Sequence, residues 1–253
     1  MPPTPLLIRV VGCSGGLGAS TLACALAVEL ADRGEPVLLA DGDAAGGRID
    51  VTAAVEHQPG LRWGDLSHID TPDVEALVAA LPGDRVPVLS GGPGRSSGAV
   101  VGPVLAEVAR WRTVVVDQPR WQPPTMEVPS AAGEVGEEVE AIDLFLVGLT
   151  PRHLHDAQVV VDDWPLGPAA IITRGRRHDD LLSEAIADHL GLPLLGHVPD
   201  DARCPVDERR GRLPTERGGV LARAAGRLLD GLPHLIIAEQ PDPAIGAGRA
   251  WAS

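Results

Sequence analysis

Residues 12–21 read Gly-Cys-Ser-Gly-Gly-Leu-Gly-Ala-Ser-Thr, between the apolar run PLLIRVV and the segment STLACALAVELADRG. Glycines at such spacing let backbone N–H groups approach an anion, and the amino end of a helix adds a favourable dipole. The chemistry predicted is binding of a phosphate-bearing ligand. Ser20 offers a hydroxyl to a divalent cation, and carboxylates stand at the ends of two later apolar runs, Asp41-Gly42-Asp43 after PVLLA and Asp117 after RTVVV. Oxygen donors of this kind suit Mg²⁺ and its water shell. The chain has no lysine and no tyrosine, since all 21 of its Lys+Arg residues are arginine. A guanidinium stays protonated, so Schiff-base chemistry is excluded, as are a phosphate-binding lysine and a tyrosine acid. Cys13 has no neighbouring His or Lys to activate it and reads as a small space-filler.

The elements that must position these residues follow from hydrophobic patterning. Strands are predicted at 5–12, 36–41, 86–90, 112–117, 142–149, 169–173 and 194–198. Helices are predicted at 20–34, Asp73–Leu81, Val101–Trp111, His153–Trp164, Asp179–Leu190 and Gly218–Leu232. Near-continuous apolar strands separated by helices indicate a parallel sheet covered on both faces. The expected fold is α/β, doubly wound and mostly parallel, with one domain over residues 1–239. Residues 118–140 are rich in proline and acid and read as an irregular surface loop. Residues 240–253 have no periodicity and read as a disordered tail.

Two families compete for the glycine loop. Gly12, Gly16 and Gly18 fit a TGxxxGxG-like pattern of short-chain dehydrogenases, but the Tyr-x-x-x-Lys pair of that chemistry has no counterpart here. The other motifs favour a P-loop. Ser14-Gly15-Gly16-Leu17-Gly18-Ala19-Ser20-Thr21 resembles the KGGxGK[ST]T loop of the MinD/ParA family of deviant-Walker ATPases, and Asp41-Gly42-Asp43 resembles its Asp-x-Asp. VVVDQP (114–119) is similar to its Walker B strand, IITR (171–174) to the strand end flanking adenine, and LLGHVPDD (194–201) to its adenine loop. These motifs come in the family's order across about 200 residues.

The resemblance implies ATP and Mg²⁺ as ligands. It assigns Gly15, Gly16, Leu17, Gly18, Ala19, Ser20, Thr21, Arg174, Pro199 and Asp200 to the nucleotide, Ser20 and Asp117 to the metal, and Asp43 to the switch aspartate of an active ATPase. Both family lysines are replaced, one by Ser14 and the other by Ala19. Losing a charge-assisted contact costs on the order of 1.5–3 kcal/mol, so binding survives more readily than phosphoryl transfer, which rests on charge placed at the γ-phosphate. Arg48 and Arg120, near the two switch-like loops, are the candidates to supply charge.

This degeneration is similar to the CpaE/TadZ branch and to CpaE-like proteins described as septum-site-determining. The resemblance implies a positional scaffold for Tad/Flp pilus or secretion machinery, or for septum placement, acting through protein partners and as a homodimer. Weak or absent ATP hydrolysis is expected. Many such proteins carry a receiver-like amino-terminal domain, and this chain opens directly on the first P-loop strand, so that domain is expected to be absent. An active switch ATPase and a DNA-binding partition ATPase are the alternatives.

A net charge of −14 disfavours nucleic acid and anionic membranes as general electrostatic partners. The arginines at 203, 209, 210, 212, 217, 223 and 227 are interleaved with Asp200, Asp201, Asp207, Glu208 and Glu216, which reads as mixed surface rather than a DNA-facing strip. Three cysteines without CxxC spacing fit reduced thiols, and no segment has the length of a signal peptide or membrane span, so a cytoplasmic location is expected, with recruitment by partners. His153 and His155 lack a third ligand and read as solvated surface. Residues 221–237, broken by Gly231 and Pro233, are expected to pack as the last core helix rather than to grip lipid.

Overall fold

A computed structural model describes residues 6–46, 48–66, 72–91, 98–122, 140–165, 167–176, 179–215 and 218–239. Seven parallel strands form one sheet: β1 (Leu6–Gly12), β2 (Val37–Asp41), β3 (Val88–Leu89), β4 (Thr113–Gln118), β5 (Glu140–Gly148), β6 (Ala169–Gly175) and β7 (Leu194–Pro199), in the order β3-β2-β4-β1-β5-β6-β7. The doubly wound expectation holds. Because every strand runs the same way, the loops after β1, β2, β4, β6 and β7 all emerge at one edge of the sheet. The order reverses around β1, which has β4 on one side and β5 on the other. Such a switch point opens a crevice beyond the strand ends.

Alternating side chains of the central strands feed cores on both faces. Ile8 and Val10 join the cluster built on α1 (Ala19–Asp32) and α8 (Val220–Glu239), whereas Leu7 and Val11 point to the other face. There α4 (Val101–Val108) packs on one half of the sheet, and α5 (Pro151–Asp162) with α6 (Asp180–Leu190) on the other. Helix starts follow local chemistry. Asp73 caps α3 (Val74–Ala79), Thr150 caps α5 ahead of Pro151, and Asp179 caps α6, each accepting a backbone N–H with its side-chain oxygen.

Some expectations change. The 86–90 strand contracts to Val88–Leu89, an edge strand paired only with β2, and the helix foreseen to Trp111 ends at Val108. Short helices at α2 (Ile49–Thr52) and α7 (Cys204–Glu208), and a 3₁₀ turn at Trp63–Leu66, were not foreseen. Gly231 and Pro233 do not break the last helix, which continues to Glu239. Leu221, Leu228, Leu229 and Leu232 are buried before the proline, each contributing roughly 1.5–3 kcal/mol, against a proline penalty of about 3 kcal/mol. The missing side chain at Gly231 also lets the helix approach β7, where a Cβ would stand 2.9 Å from Leu195. α8 does pack in the core, against α1 and β7. Among the described residues no helix is long and apolar enough to cross a membrane. The loop foreseen at 118–140 begins as the end of β4 and a turn through Gln122; residues 123–139 and the tail at 240–253 lie outside the described residues.

Candidate functional site

The glycine loop crosses the carboxyl edge from β1 to α1. Gly15 and Gly16 form an exposed crest, while Leu17 tucks into the core beside them. Gly18 opens α1 at φ 81°, a left-handed conformation costing other L-residues about 1–2 kcal/mol. No side chain caps this helix and no acid stands in its first turn, so its leading N–H groups are open to an anion. Ala19 begins the helix with its Cβ 3.0 Å from where one on Gly12 would stand, turned beneath the loop. Ser20 lies beside Asp117, so the two predicted metal residues come together. Burial raises the Asp117 carboxyl, and the neighbouring Ser20 hydroxyl opposes the rise. Thr21 is half-buried in the first turn.

Beside the loop, the ends of β2 and β4 meet. Asp41 and Asp117 are register neighbours on adjacent strands. Burial pushes Asp41 up to about 7, with Asp117 adding to the rise and the N–H groups of Ile49 (3.1 Å) and Gly91 (3.5 Å) opposing it. Gly42 leaves room for the neighbouring strand end, since a Cβ there would come within 2.9 Å of both Gln118 Oε1 and Pro119 Cδ. Asp43 Oδ1 accepts from Ala45 N and Gly46 N at 3.0 Å each, closing a turn of its own loop. Trp63, fully buried, donates Nε1–H to the Asp41 carbonyl at 3.0 Å. Its role was not readable from the sequence, where only an isolated tryptophan is visible.

On the other side, β6 delivers Arg174 and β7 delivers Pro199 and Asp200. Arg174 Nε bonds Asp200 Oδ1 at 3.3 Å, and Asp200 N donates to Gly175 O at 3.1 Å. The Arg174 guanidinium lies over the loop, its Nη1 3.1 Å from where a Cβ on Gly18 would stand. That Nη1 is buried without a hydrogen-bond partner. Thr173 faces away, its hydroxyl 2.9 Å from Ser183 Oγ and 3.0 Å from His197 Nδ1.

Ser14, in the place of the second family lysine, is buried and donates to Asp156 Oδ2 on α5 at 2.7 Å. Burial pushes the Cys13 thiol up to about 12 despite the Arg120 guanidinium, which suits a space-filler rather than a nucleophile. Arg48 is exposed at the start of α2. The two histidines separate. His155 is exposed, as expected, but His153 is half-buried and lies over Gly148, where any Cβ would collide with its ring.

A seven-stranded parallel sheet with a glycine loop at its switch point, a serine–aspartate pair and carboxylates on the next strand defines a P-loop nucleotide-binding protein. The family model described as CobQ/CobB/MinD/ParA nucleotide binding domain matches residues 8–214, and the chain belongs to that family. It is 34% identical over 239 residues to the uncharacterized protein Rv3660c of Mycobacterium tuberculosis H37Rv, covering 90% of this chain. The chain spans 64% of the length of that relative. Among solved structures it resembles the MinD cell division protein of Aquifex aeolicus (TM-score 0.68, 17% identity, 90% of this chain and 97% of that one). A ParA family ATPase from Chlorobium tepidum gives TM-score 0.67 at 15% identity, covering 90% and 98%. The septum site-determining protein MinD of Pyrococcus horikoshii, solved with Mg-ADP, gives 0.62 at 19%, covering 91% and 97%. At these identities the structural likeness establishes the fold.

Proposed function

We propose that this chain is a CpaE/TadZ-like positional scaffold that binds Mg-ATP or Mg-ADP at the glycine loop and hydrolyses ATP slowly or not at all. The observation that carries the reading is an open glycine cradle, with Ser20 beside Asp117, in which both family lysine positions are neutral. Backbone N–H groups from Gly15 to Ser20 bind the phosphates, and Ser20 and Asp117 hold the Mg²⁺. Pro199 and Asp200 border the base, and Arg174 lies between them and the glycine loop. When bound, the metal supplies charge to the phosphates; no lysine is present to add charge at the γ-phosphate, where phosphoryl transfer requires it. Asp43 holds its own turn, consistent with a switch loop that has lost a hydrolytic task. The output is recruitment of protein partners for pilus, secretion or septum machinery, with the nucleotide favouring a homodimer. A net charge of −14 argues against a DNA-binding role.

Calorimetry with Mg-ADP and Mg-ATP, paired with a turnover assay, tests this reading. Weak binding and negligible turnover are expected, unchanged in Asp43→Ala. Turnover at the rate of an ordinary family ATPase, lost in Asp43→Ala, would establish the active switch instead. No binding by either the wild type or Ala19→Lys would reduce the loop to a structural relic.

A further inference from the structure

The cradle lacks lysine, yet two guanidinium groups converge on it from different strands. Arg174 comes from the end of β6 and places Nη1 3.1 Å from the Cβ position of Gly18. Arg120 comes from the turn after β4 and places Nη1 4.0 Å from the Cβ position of Gly15. Both contacts are made by the outer nitrogen of the fork, and they fall at the two ends of the Gly15–Gly18 crest.

The surroundings aim both groups. Arg120 sits within a turn closed by Gln122 N on Pro119 O (3.2 Å) and by Gln118 Nε2 on Gln122 O (2.7 Å). Its guanidinium carbon lies 5.7 Å from the ring centroid of Trp121, a cation–π distance. Among the described residues it makes no ion pair, so no carboxylate holds it away from the loop. Arg174 spends one nitrogen on Asp200 and keeps Nη1 buried and unpartnered against the loop. A buried cationic donor without an acceptor costs free energy, and an anion on the crest removes that cost.

We infer that Arg120 and Arg174 replace the two missing lysines as the charge donors for a di- or triphosphate on this loop. This rests on the nucleotide-binding reading above and adds to it the source of the charge. The assignment gives each arginine a distinct character. Arg174 is half-buried, with its Nη1 out of solvent and its Nε held by Asp200, so it contributes a contact that high salt screens less. Arg120 is exposed at the rim, so its contribution falls as salt rises. Forked guanidinium donors also bind two phosphate oxygens at once, which a single ammonium does less well. They therefore suit retention of a nucleotide more than a charge that follows the γ-phosphate through transfer.

The test is a titration of a fluorescent Mg-ADP analogue, competed by pyrophosphate, on the full chain and on Arg120→Gln, Arg174→Gln, Arg174→Lys and Ala19→Lys, with thermal unfolding as the folding control. Each Gln variant should weaken both ligands roughly ten- to hundredfold. Arg174→Lys should retain most of the affinity. Ala19→Lys, which returns the family's ammonium to the loop, should change little in the wild type but should restore binding to Arg174→Gln. A purely structural role for Arg174 would show no such rescue. Equal Mg-ADP binding by wild type and both Gln variants overturns this assignment and leaves the nucleotide reading intact. Pyrophosphate that fails to compete, or competes equally in all variants, also overturns the assignment and leaves the arginines to the base. A wild type that binds no nucleotide overturns both readings. Arg120→Gln, an exposed substitution, keeps the question answerable if the Arg174 variants do not fold.

Discussion

Two pairs of register neighbours in the same parallel sheet are answered in opposite ways. In the middle of the sheet, Arg9 on β1 faces Asp143 on β5 and closes a bidentate pair, Nε to Oδ1 at 2.5 Å and Nη2 to Oδ2 at 2.8 Å, with both side chains buried. At the carboxyl edge, Asp41 on β2 faces Asp117 on β4, a carboxylate beside a carboxylate. The first pair is complete within the chain. Among the described residues the second has no cation against it, while across β1 Arg174, paired through Nε with Asp200, leaves Nη1 without an acceptor. Buried charge that is closed locally holds the fold. Buried charge left open is what a Mg-nucleotide, carrying both signs, would complete.

The largest effect should come from breaking the closed pair. Asp143→Ala strands a buried guanidinium, and removing one partner of such a pair costs about 3–5 kcal/mol. Urea unfolding at pH 7 measures it, and a loss near zero would mean that water reaches Arg9. Asp41→Asn should move stability the other way. A carboxyl raised from 3.8 in the unfolded chain to about 7 in the fold keeps its proton where the unfolded chain has released it. Wild-type stability is therefore full below about pH 4, falls as pH rises towards 7, and levels off above. At about 1.36 kcal/mol for each pH unit, the loss is at most about 4 kcal/mol. The amide oxygen of Asn still accepts from Ile49 and Gly91, so Asp41→Asn should be more stable than wild type at pH 8 and lack most of the slope between pH 4 and 7. An unchanged slope would locate the titration elsewhere.

A third comparison concerns Asp117. Asp117→Asn should lower Mg-ADP affinity roughly ten- to hundredfold, the loss of one charge-assisted contact, while leaving metal-free ADP little changed. Affinity that is the same with Mg²⁺ and with EDTA in the wild type would remove Asp117 from the metal.

The closed and open pairs also differ in how far the sequence revealed them. Asp41, Asp43 and Asp117 stand at the ends of apolar runs, and a strand end in a parallel sheet is a place known in advance. The glycine loop was legible for the same reason. Arg9 is a lone charge in an apolar run, and the sequence does not show its partner, which lies 134 residues away with no spacing rule to link them. Ser14 with Asp156, 142 residues apart, was hidden in the same way. Seven strands and the long helices followed from local apolar period. The short helices at 49–52 and 204–208 carry too few turns for a period to show. The last helix outran its glycine and proline because tertiary burial outweighs local propensity.

The smallest predicted effect sharpens the contrast at its open end. Trp63 reaches the Asp41 carbonyl through a single Nε1–H bond of 3.0 Å, and its own N donates to Ser90 O at 3.0 Å, so the ring ties the end of β2 to the segment after β3. Trp63→Phe keeps most of the apolar contact and removes the indole donor, leaving a buried carbonyl short of one partner. A net loss of about 1 kcal/mol is expected at any pH, since the carbonyl does not titrate. The pH slope assigned to Asp41 should remain, because its carboxylate still receives the N–H groups of Ile49 and Gly91. A variant that loses the slope together with the stability would show that the ring, rather than burial by the surrounding strands, keeps water from Asp41.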